Sequence, residues 1–364
     1  MRRFFIVSLL SVSLLFVGAS CTLPFGERGA VLKSANEGKT WASISMMTLG
    51  KRKVKIASAV ITRIVIDPRN SNRVFMGTAS DGLYSSENGG ADWFPLLPRE
   101  TITDVIIDPN AVCTLYVATP ASILRTVNCA ETWEIVLHET RENSMFSSLA
   151  IDYYFPNVVY ATTIAGDIFR SGDSGLTWSV LYRMQSPIAR LIVDSKNPSI
   201  LYVASTEGVV IKSSDKGYTW EEISKPLETY GTSLRYMGLQ SLAKTNSILY
   251  ASESSIFMTQ NGGRTWDRIP LLTRPGDVSI RAVATNPMDD REIYYTTENT
   301  FYHTNDAGIR WETVPGPARR PIGTLVVDPN NTSVLYAGAA DPLRRREGDG
   351  AEKYWRFGPE KFRE

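Results

Sequence analysis

The octets Ser171-Gly172-Asp173-Ser174-Gly175-Leu176-Thr177-Trp178 and Ser213-Ser214-Asp215-Lys216-Gly217-Tyr218-Thr219-Trp220 decide the fold, because they recur. Ser34 to Trp41 repeats the pattern with Asn36 in the acidic slot. Ser86 to Trp93, Thr126 to Trp133, Thr259 to Trp266 and Thr304 to Trp311 are looser copies. Their tryptophans follow one another at intervals of 52, 40, 45, 42, 46 and 45 residues. A period in this range marks a repeat array whose units stack into one body.

A second marker falls between the octets. Asp67-Pro68, Asp108-Pro109, Asn286-Pro287 and Asp328-Pro329 each end a short apolar run, and Asp152 and Asp194 end two more without the proline. A β-rich run such as Val74-Phe75-Met76-Gly77 or Leu201-Tyr202-Val203-Ala204 follows. Short strands between turn residues then number four per repeat, the content of a propeller blade. We letter them A to D: A ends at the Asp-Pro turn, C leads into the octet, and D begins at its tryptophan. Repeats start near residues 61, 103, 147, 189, 238 and 281, and a seventh is split, with A and B at 322–339 and C and D at 30–46. The expectation is an all-β, seven-bladed propeller of four-stranded antiparallel blades. Both chain ends share the last blade, which leaves no sheet edge open.

Each octet has the chemistry of a hairpin turn. The Asp or Asn side chain accepts hydrogen bonds from the loop backbone, glycine supplies a positive φ, and tryptophan buries a large apolar face where D begins. Four of the seven copies carry Asn in the acidic slot, which suits a turn and argues against a set of calcium sites. The pattern Ser-x-Asp-x-Gly-x-Thr-Trp is similar to the Asp-box, or bacterial neuraminidase repeat. From about Ala30 to Asp341 the chain resembles sortilin-type and xyloglucanase-type Asp-box propellers, in segments such as Ile66-Asp67-Pro68 through Leu83-Tyr84-Ser85 and Ile192 through Lys212. It also resembles the photosystem II assembly and stability factor family, which shares the seven-blade plan and, in bacteria, a lipoprotein anchor. The resemblance implies a fold. It leaves open a choice among sialidase, glucanase, receptor and assembly-factor roles.

Composition sets further bounds. In 364 residues, 39 Lys and Arg balance 38 Asp and Glu to a net charge of +1, which offers no electrostatic footprint for nucleic acid. Hydrophobic residues make up 43% of the chain, enough to exclude disorder as a whole. Two histidines and three cysteines argue against a zinc cluster, and neither a metal nor a cofactor is expected. Met1-Arg2-Arg3, the apolar run Phe4 to Val17 and the small residues Gly18-Ala19-Ser20 form a secretory signal. That run is short for a spanning helix of ~20 residues. The small residues ending in Cys21 resemble a bacterial lipoprotein box, which implies a lipidated Cys21; an ordinary cleaved signal with a chance cysteine is the competing reading.

The expected organisation is a signal at 1–20, a lipidated start and short tether at 21–29, the propeller at 30–341 and a charged tail at 342–364. Such a protein is exported and held at a membrane. Lys51-Arg52-Lys53-Val54-Lys55 is expected as a solvated basic loop, with anionic lipid as the alternative contact. Export also permits a disulfide. Cys113 opens a strand B and Cys129 lies just after the strand C that pairs with it, so a bridge is expected, with two separate buried thiols as the alternative.

In this wheel the A–B and C–D turns share one face, and the B–C and D–A connections share the other. The octets fill the first face, so a ligand site is expected on the second, around a channel lined by strands A. Early positions of those strands carry Arg63, Asp104, Arg190, Gln240 and Arg281, and a D–A connection adds Tyr230, Arg235 and Tyr236. Arg63, Arg190 and Arg281 come from three blades and could converge on an anion. The connection 224–237 is expected to protrude and touch a partner.

No catalytic residue is assigned. A sialidase would need a Phe-Arg-Ile-Pro segment ahead of the first octet, and the octet beginning at Ser34 leaves no room for one. His138 and His303 lie in unrelated blades with no Ser or Cys partner evident, so a triad is not expected. The rim acids Asp81, Asp167, Glu207, Glu253 and Glu298 keep one enzymatic alternative alive, since carboxylates ~5–9.5 Å apart can cleave a glycoside. The leading expectation is a non-catalytic propeller that binds a protein or glycan partner on the face opposite the octets. A glycoside hydrolase acting on a polysaccharide is the alternative.

Overall fold

The computed structural model describes residues 29–340, apart from 50, 51 and 57. The expected signal, Cys21 and the 342–364 tail lie outside these residues. Seven four-stranded antiparallel sheets form the blades. Blade one runs from Ile61–Asp67 to Phe94–Pro98, and blade two from Asp104–Ile107 to Glu134–His138. Blade three runs from Phe146–Ile151 to Ser179–Arg183, blade four from Ile188–Val193 to Glu221–Glu222, blade five from Tyr236–Ser241 to Asp267–Arg268, and blade six from Ala282–Asn286 to Glu312–Pro315. The seventh is the split one: Ile322–Val327 and Leu335–Ala339 pair with Val31–Ser34 and Ala42–Ser43. Val31 stands opposite Gly338 and Ser34 opposite Leu335, so the last sheet contains both ends of the propeller.

Each strand A touches the strand A of the next blade, and Ile322–Val327 touches Ile61–Asp67, which completes the inner ring. Between blades the core draws on strands A, B and C; strand B adds the seam's tyrosines. Its buried tyrosines, Tyr116, Tyr160 and Tyr336, donate their hydroxyls to octet carbonyls of the following blade, at Ser174 (2.9 Å), Lys216 (3.3 Å) and Gly89 (3.1 Å). A tyrosine satisfies both needs of such a seam, because its ring is apolar and its tip is polar.

The octets are turns, and their bonding repeats from blade to blade. In blade three the Ser171 hydroxyl donates to Asp173 Oδ1 (2.7 Å) while its oxygen accepts the Gly175 N–H (2.8 Å). Asp173 also accepts the Thr177 N–H (2.8 Å) and hydroxyl (2.6 Å). Thr219 and Ser213 serve Asp215 in the same way. These donors, the threonine hydroxyl first, hold both carboxyls down at about 2, against an ordinary 3.8. A depressed folded value means that the stabilisation is complete above pH 3.8 and is lost as the pH falls through about 2. Replacing both (Asp173→Asn with Asp215→Asn) is therefore expected to flatten the fall of melting temperature across that window. An unchanged acid limb would assign the loss to other carboxylates.

Blade two supplies an exception with a compensation. Its octet has no glycine, and Cys129 and Ala130 take positive φ values of 57° and 69°. Left-handed geometry at a non-glycine residue costs roughly 1–2 kcal/mol. Here the turn is tied down, because Cys129 is disulfide-bonded to Cys113 and donates its N–H to the Cys113 carbonyl (3.1 Å). A bridge across a loop of this length contributes ~3 kcal/mol in the chain-entropy account.

Two segments differ from expectation. The basic run is not a loop: Met46–Leu49 and Arg52–Lys55 form a two-stranded hairpin that packs on blade one. Trp93 donates its backbone N–H to Met46 (3.0 Å), accepts one from Thr48 (2.9 Å), and Lys53 pairs with Asp92 at 2.6 Å. The hairpin accounts for the long first interval of 52 residues between tryptophans. The 224–237 connection does not stand free either. It forms a short 3-10 helix, Lys225–Tyr230, that buries Leu227 completely.

Candidate functional site

Strand A enters each blade from the face opposite the octets, so its first residues meet around the channel. Asp104, the first residue of Asp104–Ile107, is completely buried. Arg63 Nε of blade one lies 3.0 Å from its Oδ1, and Arg190 Nη1 of blade four lies 2.6 Å from its Oδ2. Backbone N–H groups of Val105 (2.9 Å) and Leu149 (2.8 Å) donate to the same carboxylate. Through these bonds a single side chain of blade two holds blades one, three and four together.

The trio has an unbalanced charge. Two guanidinium groups face one carboxylate, leaving one positive charge at the inner wall. Burial, and then the like charge of Arg190, push the Arg63 pKa down, with Asp104 pulling the other way. Tyr236 and Tyr153 stand within electrostatic reach of all three; burial raises both phenols and the arginines oppose it. Tyr153 follows strand A of blade three and has 54% of its surface exposed. A cavity of about 450 Å³ opens on the face opposite the octets, with Arg63, Arg190 and Tyr236 in its wall beside Ile102, Phe146 and Leu325.

Of the three arginines expected to converge, two meet, and they meet on a carboxylate of the protein itself. Arg281 stands apart, paired with Glu298 at 2.6 Å. Gln240 is occupied in joining blades five and six: its amide donates to Val283 O (2.8 Å) and its oxygen accepts from the Thr285 N–H (3.0 Å) and hydroxyl (2.9 Å). Tyr230 donates to Trp266 O (2.6 Å) and packs its ring on Phe257, while the Arg235 carbonyl accepts the Glu253 N–H (2.9 Å). Both belong to the anchoring of the 224–237 connection.

The rim acids are engaged too. Asp167 is buried and held by Arg141 and by Arg183 (2.5 Å). Arg141 also holds the Glu139 carboxyl down at about 2. Glu253 accepts the Ser279 hydroxyl and Glu207 that of Ser186, each at 3.1 Å. Sequence reasoning missed one contact here. Ser122 and His138 face each other across strands C and D of blade two, with Oγ 2.9 Å from Nδ1. No carboxylate is paired with His138 among the described residues, so the third member of a triad is missing.

Comparison with known proteins agrees with this architecture. A profile of the family described as "Sortilin, neurotensin receptor 3" matches residues 208–320. No curated protein sequence matches the chain. Among solved structures, a GH74 enzyme of Niastella koreensis superposes with a TM-score of 0.64 at 16% identity, over 77% of this chain and 51% of that one. YCF48 of Cyanidioschyzon merolae superposes with a TM-score of 0.60 at 15% identity, over 81% and 98%. A YCF48 structure bound to D1 peptide gives 0.59 at 16%, over 79% and 94%. The chain thus spans about half the length of the GH74 enzyme it matches, and identities this low establish the fold alone. Among the described residues no helix is long and apolar enough to cross a membrane.

Proposed function

We propose that the protein is a membrane-anchored, extracytoplasmic propeller that catalyses nothing and binds a partner protein through an acidic segment at the channel mouth. The observation that carries this reading is the Arg63–Asp104–Arg190 trio, an excess positive charge held rigidly beside an open cavity. Guanidinium groups suit carboxylates, and the buried Asp104 keeps both pre-oriented, so a ligand carboxylate meets a site already organised. The apolar walls around Phe146 and Leu325 would take side chains next to that carboxylate. The likeness to a YCF48 that binds a peptide supports a protein partner over a glycan. Cys21, with the small residues before it, is the proposed lipid anchor.

A labelled acidic peptide ending in a free carboxylate tests the reading by fluorescence anisotropy. The amidated peptide is expected to bind about tenfold more weakly, the loss of one charge-assisted contact of ~1.5 kcal/mol. Replacing Arg63 and Arg190 together by Gln should remove the difference between the two peptides. Equal affinity of acid and amide for the native protein, or release of sugars from a polysaccharide panel, would overturn it in favour of another site or of the hydrolase.

A further inference from the structure

The seam between blades six and seven departs from a pattern that four other seams share. In those four the strand-B tyrosine stands opposite a permanent cation on strand C: Tyr116 faces Arg125, Tyr160 faces Arg170, Tyr202 faces Lys212 and Tyr336 faces Lys33, whereas blades one and five place Phe75 opposite Ser85 and Leu249 opposite Met258. In blade six that place is taken by His303, stacked on Tyr294 with centroids 4.6 Å apart. Two carboxylates have gathered where the fixed charge is missing. Glu292 comes from strand B of blade six and Glu37 from the octet of blade seven. Their carboxylate oxygens and a His303 ring nitrogen all lie within 4.8 Å of one another.

The tyrosine contact changes here too, as it does at Tyr202, which donates to Asn246 Oδ1 (3.1 Å). Tyr116, Tyr160 and Tyr336 reach the fourth residue of the next octet through its carbonyl. The corresponding residue at this seam is Glu37, and Tyr294 instead donates to Glu292 Oε1 (2.5 Å), while Asn286 donates to Oε2 (2.5 Å) and His303 Nε2 lies 2.9 Å from Oε1. Lys39, half-exposed and 3.3 Å from Glu37, is the one fixed cation paired with the group among the described residues.

We infer that this seam binds a divalent transition-metal ion, Zn²⁺ by its chemistry, through His303, Glu292 and Glu37. One imidazole and two carboxylates form a zinc-type donor set, in which ligand atoms about 3.3–3.6 Å apart would surround a metal bonded at ~2.0–2.2 Å. Reaching that spacing means opening the 2.9 Å contact between His303 and Glu292 and drawing the Glu37 carboxylate toward them. Tyr294 and Asn286 act as outer partners that orient Glu292, as such partners do at metal centres. The ion would tie the turn after Val31–Ser34 to blade six, beside the strand that closes the ring. A count of two histidines argues against a histidine-rich centre, whereas this one needs a single imidazole.

Titration calorimetry of the untagged protein with Zn²⁺ at neutral pH provides the test. One equivalent is expected to bind and to raise the melting temperature. His303→Ala and Glu37→Gln should each weaken binding tenfold or more, while His138→Ala leaves it unchanged. Glu37 lies on a surface turn, so its variant separates loss of a ligand from loss of the fold. Absence of binding, or binding that survives Glu37→Gln and His303→Ala, would overturn the site and leave the His303–Glu292 hydrogen bond as a structural contact of the seam.

Discussion

Replacing Trp93 by alanine is expected to lower the free energy of unfolding by about 3–5 kcal/mol, the range for truncating a fully buried aromatic residue. Trp93 is completely buried, and its indole N–H donates to the Ile44 carbonyl at 2.7 Å. It belongs to a core with Val31, Ile61, Val74 and Tyr336, against which Ile44 and Met47 also pack. Residues from blades one and seven and from the 46–55 hairpin therefore share one side chain. Its loss would leave a cavity, strand the Ile44 carbonyl and loosen the segment that closes the ring. Urea unfolding followed by circular dichroism reads the effect. Trp133 occupies the same octet position in blade two, but it is half-buried and its indole N–H has no partner. Its alanine variant should lose only about 1–2 kcal/mol. Equal losses at the two positions would mean that the octet tryptophans are interchangeable and that Trp93 has no special place in closure.

Asp104→Asn should have two opposite consequences. Stability should fall by about 3–5 kcal/mol, because removing one partner from a buried ion pair leaves the other uncompensated. The loss is compounded here: Arg63 and Arg190 would face each other without the carboxylate between them, and the like charge already presses on Arg63. Affinity for an acidic peptide should rise, since the ligand carboxylate would then replace the missing counter-ion, a gain expected to exceed the loss of the pre-orientation that Asp104 gives the arginines. Adding Arg63→Gln should recover part of the stability and cancel the gain in affinity, a non-additivity that a double-mutant cycle measures directly. If the single variant bound the peptide no better than the native protein, the arginines would be structural groups, and the proposed site at the channel mouth would have to be given up.

Expectations about fold and expectations about site fared differently, and particular residues show why. The octets could be read because each is local: Ser171 to Trp178 contains its own donors and acceptors, so eight residues carry the whole instruction. The 46–55 hairpin left a trace in the sequence, an interval of 52 residues where the others run from 40 to 46, but its chemistry is that of a basic loop. Arg63 and Arg190 stood out as early strand-A residues. Their meeting on Asp104 did not, nor did the failure of Arg281 to join them.

By itself, then, the amino-acid order determined the number of blades, the four-strand repeat, the turn at each octet and the sharing of the last blade by residues 30–46 and 322–339. Each of these follows from patterns of spacing within about one repeat, where chain geometry leaves few alternatives. Only the tertiary structure decided which charges are neighbours. Arg190 lies 86 residues from Asp104, and Glu37 comes near the start of the propeller sequence while His303, its spatial neighbour, comes near the end. Pairings of that kind depend on the width of the channel, the stagger of the blades and the reach of individual side chains, which arise when the ring closes and have no period for a sequence to display.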